Sequence, residues 1–335
     1  MIRRTFLAAA LAAALIAPHA PAANAADTPK LVVGPPGVPP IFAAVNLYVA
    51  EKEGFFKKHG VDVTLRSFDS GTAAARAVVA GDLDLSMSPT PLVINQIANA
   101  GVNIVAVYGM DNPDWTIGTT DASKAACADL KGQQVGIDTP GGARSIALKT
   151  MLVGCGLKLE DVQQVALGSN TAAAMIAGQI KYGVLHIDDV PEIESHGKKV
   201  TTITSFSKAA PTSHYILYIA RKDKVAANRE AYVRFLAGVI DASHFMADPK
   251  NAAAVAQIAT VTGRSKEIAA GALKRFLAIE FWPVGNDGMN KKKLEATTAT
   301  QEKIGNIKAG KTPPSYDQLV DASIWRDAEA LTKKK

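Results

Sequence analysis

Ala77-Val78-Val79-Ala80-Gly81-Asp82-Leu83 returns as Ala174-Met175-Ile176-Ala177-Gly178-Gln179-Ile180, an offset of 97 positions (residue 77 against residue 174). Each copy reads as the last turns of a helix stopped by glycine, the residue that enters the left-handed conformation without a steric penalty. Each then opens an apolar strand, through Leu85-Ser86-Met87-Ser88-Pro89 in the first copy and Tyr182-Gly183-Val184-Leu185-His186 in the second. The offset is too long for a solenoid repeat. It points to two similar α/β lobes, and a cleft between lobes is where small ligands usually bind.

Outward from the first copy, Leu31–Val33, Val61–Leu65, Leu83–Met87 and Ile104–Tyr108 read as strands. Apolar spacing makes Ile41–Glu53 a helix closed by Gly54, and Ser70-Gly71-Thr72 caps another over Ala73–Ala80. Around the second copy, Gln134–Ile137, Val162–Leu167 and Ile180–Ile187 are strands, with helices opening at Ala143 and after Ser169-Asn170-Thr171. The βαβαβ order favours parallel strands with helices on their faces. Ser213–Ala220 alternates as a strand returning the chain to lobe one, and Arg229–Met246, Asn251–Val261, Lys266–Ile279 and Lys291–Ile307 form a C-terminal helical extension. The expected fold is therefore α/β with two βαβ-type lobes: residues 28–112 plus 214–335, and 113–213. Two crossings, near Asp111–Thr120 and Thr204–Ser213, would form a hinge.

The N-terminal residues read as a signal peptide over 1–25: Arg3-Arg4, an apolar run from Phe6 to Ala17, and the small-residue cleavage site Ala23-Asn24-Ala25. The run is too short for a permanent membrane span. Export would place the mature chain in the periplasm, and the paired arginines leave the general secretory and twin-arginine routes both open. Cleavage removes two of the 37 basic residues, taking the formal charge from +6 to +4. The basic clusters Lys57-Lys58, Lys198-Lys199 and Lys291–Lys293 are not interleaved with aromatics, so no nucleic-acid partner is expected. The only two cysteines, Cys127 and Cys155, form a disulfide or stay as two buried thiols, the former favoured by an oxidising compartment. No Cys/His cluster suggests a metal or a cofactor.

Several segments resemble a single family: Ala50-Glu51-Lys52-Glu53-Gly54-Phe55-Phe56 with Gly60-Val61-Asp62-Val63, Ala80-Gly81-Asp82-Leu83-Asp84, and Asp129-Leu130-Lys131-Gly132-Gln133-Gln134-Val135-Gly136. Ala177-Gly178-Gln179-Ile180 ahead of Pro191, and the tail Val320-Asp321-Ala322-Ser323-Ile324, belong to the same pattern. In order and spacing they are similar to the periplasmic binding proteins of ABC importers for sulfonates, taurine, nitrate and thiamine-pyrimidine precursors. The resemblance implies a type II periplasmic binding fold, a non-enzymatic monomer that closes on a small-molecule ligand and docks on an inner-membrane permease. Substrate identity does not follow from it.

In open α/β sheets the ligand crevice lies beyond the carboxyl ends of strands. That rule selects Val38-Pro39, Ser70-Gly71-Thr72 and Ser88-Pro89-Thr90 in lobe one, and Thr139, Gly141-Gly142-Ala143, Asn170, His186 and Asp188 in lobe two. Amides at Thr72 and Gly142-Ala143 would suit an anion, unless they only satisfy their own helices. His186 and Asp188 stand two apart at a strand end and could face one side. Such a pair serves equally for ligand contact, acid–base work or lobe-to-lobe packing. Trp115 and His214, at the two crossings, either meet the ligand or pack beside the hinge, and Tyr215 shares that choice. Arg144 is either an anion clamp or a solvent-facing side chain. No nucleophile motif or phosphate loop is present, so no catalytic residue is assigned. The reading is a solute receptor for a small organic anion such as a sulfonate or taurine. A pyrimidine precursor is the main rival ligand, and an exported enzyme or sensor subunit, or a structural partner protein, the rival classes.

Overall fold

The computed structural model describes residues 28–333. The expected signal peptide, residues 1–25, lies outside them.

The strands are β1 (Lys30–Gly34), β2 (Asp62–Leu65), β3 (Leu85–Pro89), β4 (Ile104–Met110), β5 (Thr116–Thr119), β6 (Gln134–Ile137), β7 (Gln163–Ala166), β8 (Tyr182–Leu185), β9 (Thr201–Ser205) and β10 (Ile216–Arg221). They form two five-stranded sheets in the orders β2-β1-β3-β10-β4 and β7-β6-β8-β5-β9. The orders correspond position by position, so the duplicated heptapeptide leads into the third strand of each sheet. In both copies the glycine ends its helix at positive φ, Gly81 at 90° and Gly178 at 75°.

The first three strands of each order pair in parallel, as βαβ logic expects. The fourth differs: β10 is antiparallel to β3 and β4, and β5 is antiparallel to β8 and β9. Both sheets are therefore mixed. The first crossing expected over Asp111–Thr120 is shorter than read, because β5 occupies its second half and belongs to the second sheet. The second crossing runs from Phe206 to Tyr215 after β9, a strand the sequence reading omitted, and includes the short helix Phe206–Ala209. Each sheet thus receives its antiparallel strand next to a crossing, which ties the two halves at adjacent points.

Local chemistry accounts for the helices that matter. The helix Gly71–Ala80 starts where Ser70 Oγ accepts the Ala73 amide at 3.2 Å, and it buries Ala74, Ala75 and Val78 against the first sheet. The helix Ala143–Gly154 has Gly142 at its N-cap, with no side chain to cap it, and the Asp138 carboxylate accepts the Arg144 amide at 3.1 Å instead. Gly142 leaves room for this: a Cβ there would stand 2.6 Å from Asp138 Oδ2 and Thr139 Oγ1. Asn170 does not cap the helix Thr171–Ile176 with its side chain, contrary to expectation.

The C-terminal helices wrap the first sheet. The helix Ala322–Lys333 packs along Arg229–Ala247, while Val320 and Asp321 bridge to Ala106 and cover the outer edge of β4. That edge strand is buried along its whole length, and leaving it open would invite pairing with other chains. The largest apolar cluster passes through both halves by way of Trp115 and Tyr215 at the crossings. Cys127 and Cys155 are joined in a disulfide that fastens the start of the second half to the end of helix Ala143–Gly154.

Candidate functional site

A cleft of about 490 Å³, its mouth included, opens between the two sheets. One wall comes from the first half (Pro36, Ile41, Asp69, Ser70, Met87, Ser88), the other from the second (Asp138, Ala143, Arg144, Ser169, His186). Trp115 and Tyr215, one from each crossing, complete it. A second, more polar chamber adjoins it and shares Ile41, Arg144, Ser169 and His186 with it.

Of the residues expected from sequence, Ser70, Gly71, Ser88, Pro89, Trp115, Ala143 and His186 line the main cleft. Pro39, Asn170 and Asp188 line the adjoining chamber. Val38 stands on the rim, 56% exposed, and its carbonyl accepts a 3.4 Å hydrogen bond from Ser169 of the opposite half. Thr72, Thr139, Gly141 and Gly142 are not in either lining, and the Thr72 hydroxyl is buried without a partner. Thr90 and His214 are paired away from the cleft at 2.7 Å, with His214 Nε2 donating to the Gly288 carbonyl at 2.6 Å. Tyr215, which the sequence left between ligand contact and hinge packing, lines the main cleft, and Asp69, Asp138 and the apolar Ile41 and Met87 join it without having been expected. The strand-end rule points to loops, whereas Ile41 and Met87 reach the cleft by side-chain direction from a helix start and a strand.

Arg144 does not face solvent. It is 4% exposed, and its guanidinium donates to the Val184 carbonyl and, at 3.2 Å, to Asp189. The same guanidinium lies 5.2 Å from the Trp115 ring centre, within cation–π range. The imidazole of His186 packs on that indole with ring centres 3.7 Å apart, and Tyr215 meets it edge-on at 5.7 Å. The partner of His186 is Asp114, not Asp188: Nδ1 lies 2.7 Å from Asp114 Oδ2. Asp188 is engaged instead by Arg264, at 2.8 and 3.1 Å, and the same guanidinium reaches Asp189 at 2.7 Å. Arg264 comes from the C-terminal extension and the two aspartates from the second half, so this bridge crosses the mouth.

The electrostatics follow from burial and partners. Burial pushes the Asp188 carboxyl up, against the pull of Arg264. Asp189 is buried too, yet the Arg144 and Arg264 guanidiniums hold its carboxyl down at about 2. Burial, reinforced by the Asp114 carboxylate, drives the Tyr215 phenol well above its ordinary value, so it remains a neutral donor. Both helix N-termini at the cleft already carry an acceptor of their own, Ser70 Oγ in one case and the Asp138 carboxylate in the other. The cleft is therefore an apolar slot with a few fixed polar groups, and its nearest charges include Asp69 and Asp138 as well as Arg144. Among the described residues, no group of three or more His, Cys, Asp or Glu side chains is placed to hold a metal ion.

Comparison with known proteins agrees with this architecture. A binding protein of Brucella abortus (strain 2308) is 29% identical over 248 residues, covering 73% of this chain and 74% of that protein. The ligand-binding component of an ABC-type import system from Staphylococcus aureus superposes with a TM-score of 0.71 at 15% identity, over 90% of this chain and 99% of that one. The periplasmic nitrate-binding protein from Synechocystis PCC 6803 does so at 0.72 and 14% identity, over 92% and 90%. At these identities the two structures establish the type II periplasmic binding fold and nothing finer. The family described as NMT1/THI5 like matches residues 42–252, a span that holds both copies of the duplicated motif and most of the cleft, and the chain belongs to that family.

Proposed function

We propose that this chain is the solute-binding component of an ABC importer, a periplasmic monomer that captures a small organic solute between its lobes and presents it to an inner-membrane permease. In this reading residues 28–112 and 214–335 form one lobe and 113–213 the other. The observation that carries it is the cleft itself: its walls come from both sheets and its floor from both crossings, so a solute in it touches both lobes at once. A ligand with more contacts in the closed than in the open arrangement shifts the population toward closure. The fold shared with an import-system component and a nitrate-binding protein, and the Brucella relative named as a binding protein, support the same reading.

The character of the slot favours a compact ring solute over the small sulfonate, taurine or nitrate anion that the helix N-termini first suggested. Those termini are already capped from within, and Asp69 and Asp138 add negative charge at the walls. Pro36, Ile41, Met87 and Trp115 offer apolar surface to a flat molecule. Pyrimidine precursors, the rival ligand class, fit this better.

A thermal-shift screen on protein stripped of bound solute by a denaturing wash tests the reading. The panel holds sulfonates, taurine, nitrate, aromatic carboxylates and pyrimidines. Solute at a thousandfold excess over its Kd adds about 4 kcal/mol and raises Tm by several degrees. A saturable shift with pyrimidines alone is the expected result. Shifts confined to the anions would move the ligand assignment back to them, and chemical turnover of any bound compound would favour the exported-enzyme alternative.

A further inference from the structure

We propose that Asp114 and His186 make the cleft selective for a solute that donates a hydrogen bond, an N–H or O–H group, at the Trp115 end of the slot. The inference rests on the receptor reading above and adds the polarity of one contact.

Asp114 is completely buried at its side chain, and its Oδ2 lies 2.7 Å from His186 Nδ1. A carboxylate only accepts hydrogen bonds, so the bridging proton sits on Nδ1. Where the imidazole is neutral, that leaves Nε2 with a bare lone pair. Among the described residues Nε2 has no hydrogen-bond partner within the protein, and His186 lines both the cleft and the adjoining chamber. Asp114 lines neither. The indole of Trp115 against the imidazole face, and the His186 amide bound by Asp189 at 2.9 Å, hold the ring from its side and its backbone. The ring is thus fixed in position, and its neutral form in tautomer, with the acceptor atom as the group that form has left to offer. An acceptor that a bound solute shuts off from water rejects a solute lacking the matching donor, because the acceptor then stays unpaired, and the discrimination is larger than shape alone provides. Asp114 acts as a positioning residue, and His186 makes the contact.

Three probes read this out by calorimetry on the full mature chain: 4-aminopyrimidine, 4-methylpyrimidine, which differs by a methyl in place of the amine, and benzenesulfonate, which only accepts. The expected result is at least tenfold tighter binding of the amine than of the methyl compound, falling to parity in His186→Phe. Nitrogen NMR of the wild type should place the His186 proton on Nδ1, and Asp114→Asn should release the ring toward the ordinary Nε2–H form with weaker amine binding. The circular dichroism spectrum of both variants checks that they fold. Equal binding of the amine and methyl probes, or an Nε2–H tautomer in the wild type, overturns the inference while leaving the receptor reading in place. Saturable binding of benzenesulfonate alone overturns the inference together with the ring-solute assignment, as does a folded wild type that binds none of the three.

Discussion

His186 and His214 have opposite employment. His186, just after β8, keeps a free nitrogen at the solute slot. His214, just before β10, spends both of its own on Thr90 and Gly288 in a fully buried site. Burial pushes the His214 imidazole down to about 4, against the opposing pull of Asp111, whose carboxylate lies 3.4 Å from Nε2. The unfolded chain, with an ordinary value near 6.5, binds a proton that the folded chain refuses between those two limits. His214 therefore contributes stability that is fully present above about pH 6.5 and is lost as the pH falls toward 4, roughly 3 kcal/mol in all. Asp189 behaves like an ordinary paired carboxylate, its contribution present above about pH 4 and lost as the pH falls through 2. A His214→Gln variant should be less stable than wild type at pH 8, and the gap should narrow by pH 4.5. Urea midpoints at the two pH values measure this, and parallel curves would remove the argument. Neither role was visible at the residue level of the sequence, because two histidines at strand ends look alike until their partners are known.

Among the elements, those with a local cause were legible. The repeated helix–glycine–strand units, the Ser70 cap and the long amphipathic helices of the C-terminal half all appear within a few residues of where the sequence placed them. Strand β5 was expected only as part of a strand-like crossing, and β9 not at all. Thr116-Ile117-Gly118-Thr119 is too short and too weakly patterned to announce itself, and its strand character comes from pairing with β8 on one side and β9 on the other. The disulfide belongs to this scale as well. It closes a loop over a sequence separation of 28, across β6 and the whole helix Ala143–Gly154, and the chain-entropy model assigns such a loop roughly 3.5 kcal/mol. The double variant Cys127→Ala/Cys155→Ala should lose about that amount in chemical denaturation. A loss below about 1 kcal/mol would mean that the second half is already constrained without it.

At the largest scale, a small set of polar contacts joins the two halves. Arg264 binds Asp188 and Asp189, Ser169 binds the Val38 carbonyl, and Lys149 Nζ reaches Asn306 Oδ1 at 2.6 Å. Of these, the Arg264 bridge is the most buried and the only one with a shared, branched geometry, which is what a guanidinium supplies and a lysine does not. Replacing Arg264 with Ala removes about 2 kcal/mol from the bridged arrangement, roughly a thirtyfold shift in the closed-to-open ratio. Asp189 keeps Arg144, so the second half should remain folded. Small-angle scattering of ligand-free Arg264→Ala should give a larger radius of gyration than wild type, with solute affinity reduced in step. Identical scattering and unchanged affinity would show that the bridge does not bias closure.

Helix stops, caps and apolar periodicity act over a few residues, so the duplicated motif, the βαβ order and the family-like segments suffice to specify two related lobes. The sequence also named part of the cleft, since strand ends and helix starts lie on one side of a parallel sheet wherever they occur. The pairings, by contrast, exist only in the folded chain. Asp114 and His186 are separated by 72 residues, and Arg264 and Asp188 by 76. No local pattern records such contacts, which arise when two sheets, two crossings and the C-terminal helices are brought into register. That register turned Arg144 inward, took His214 out of the cleft, and chose the acceptor that a solute would meet.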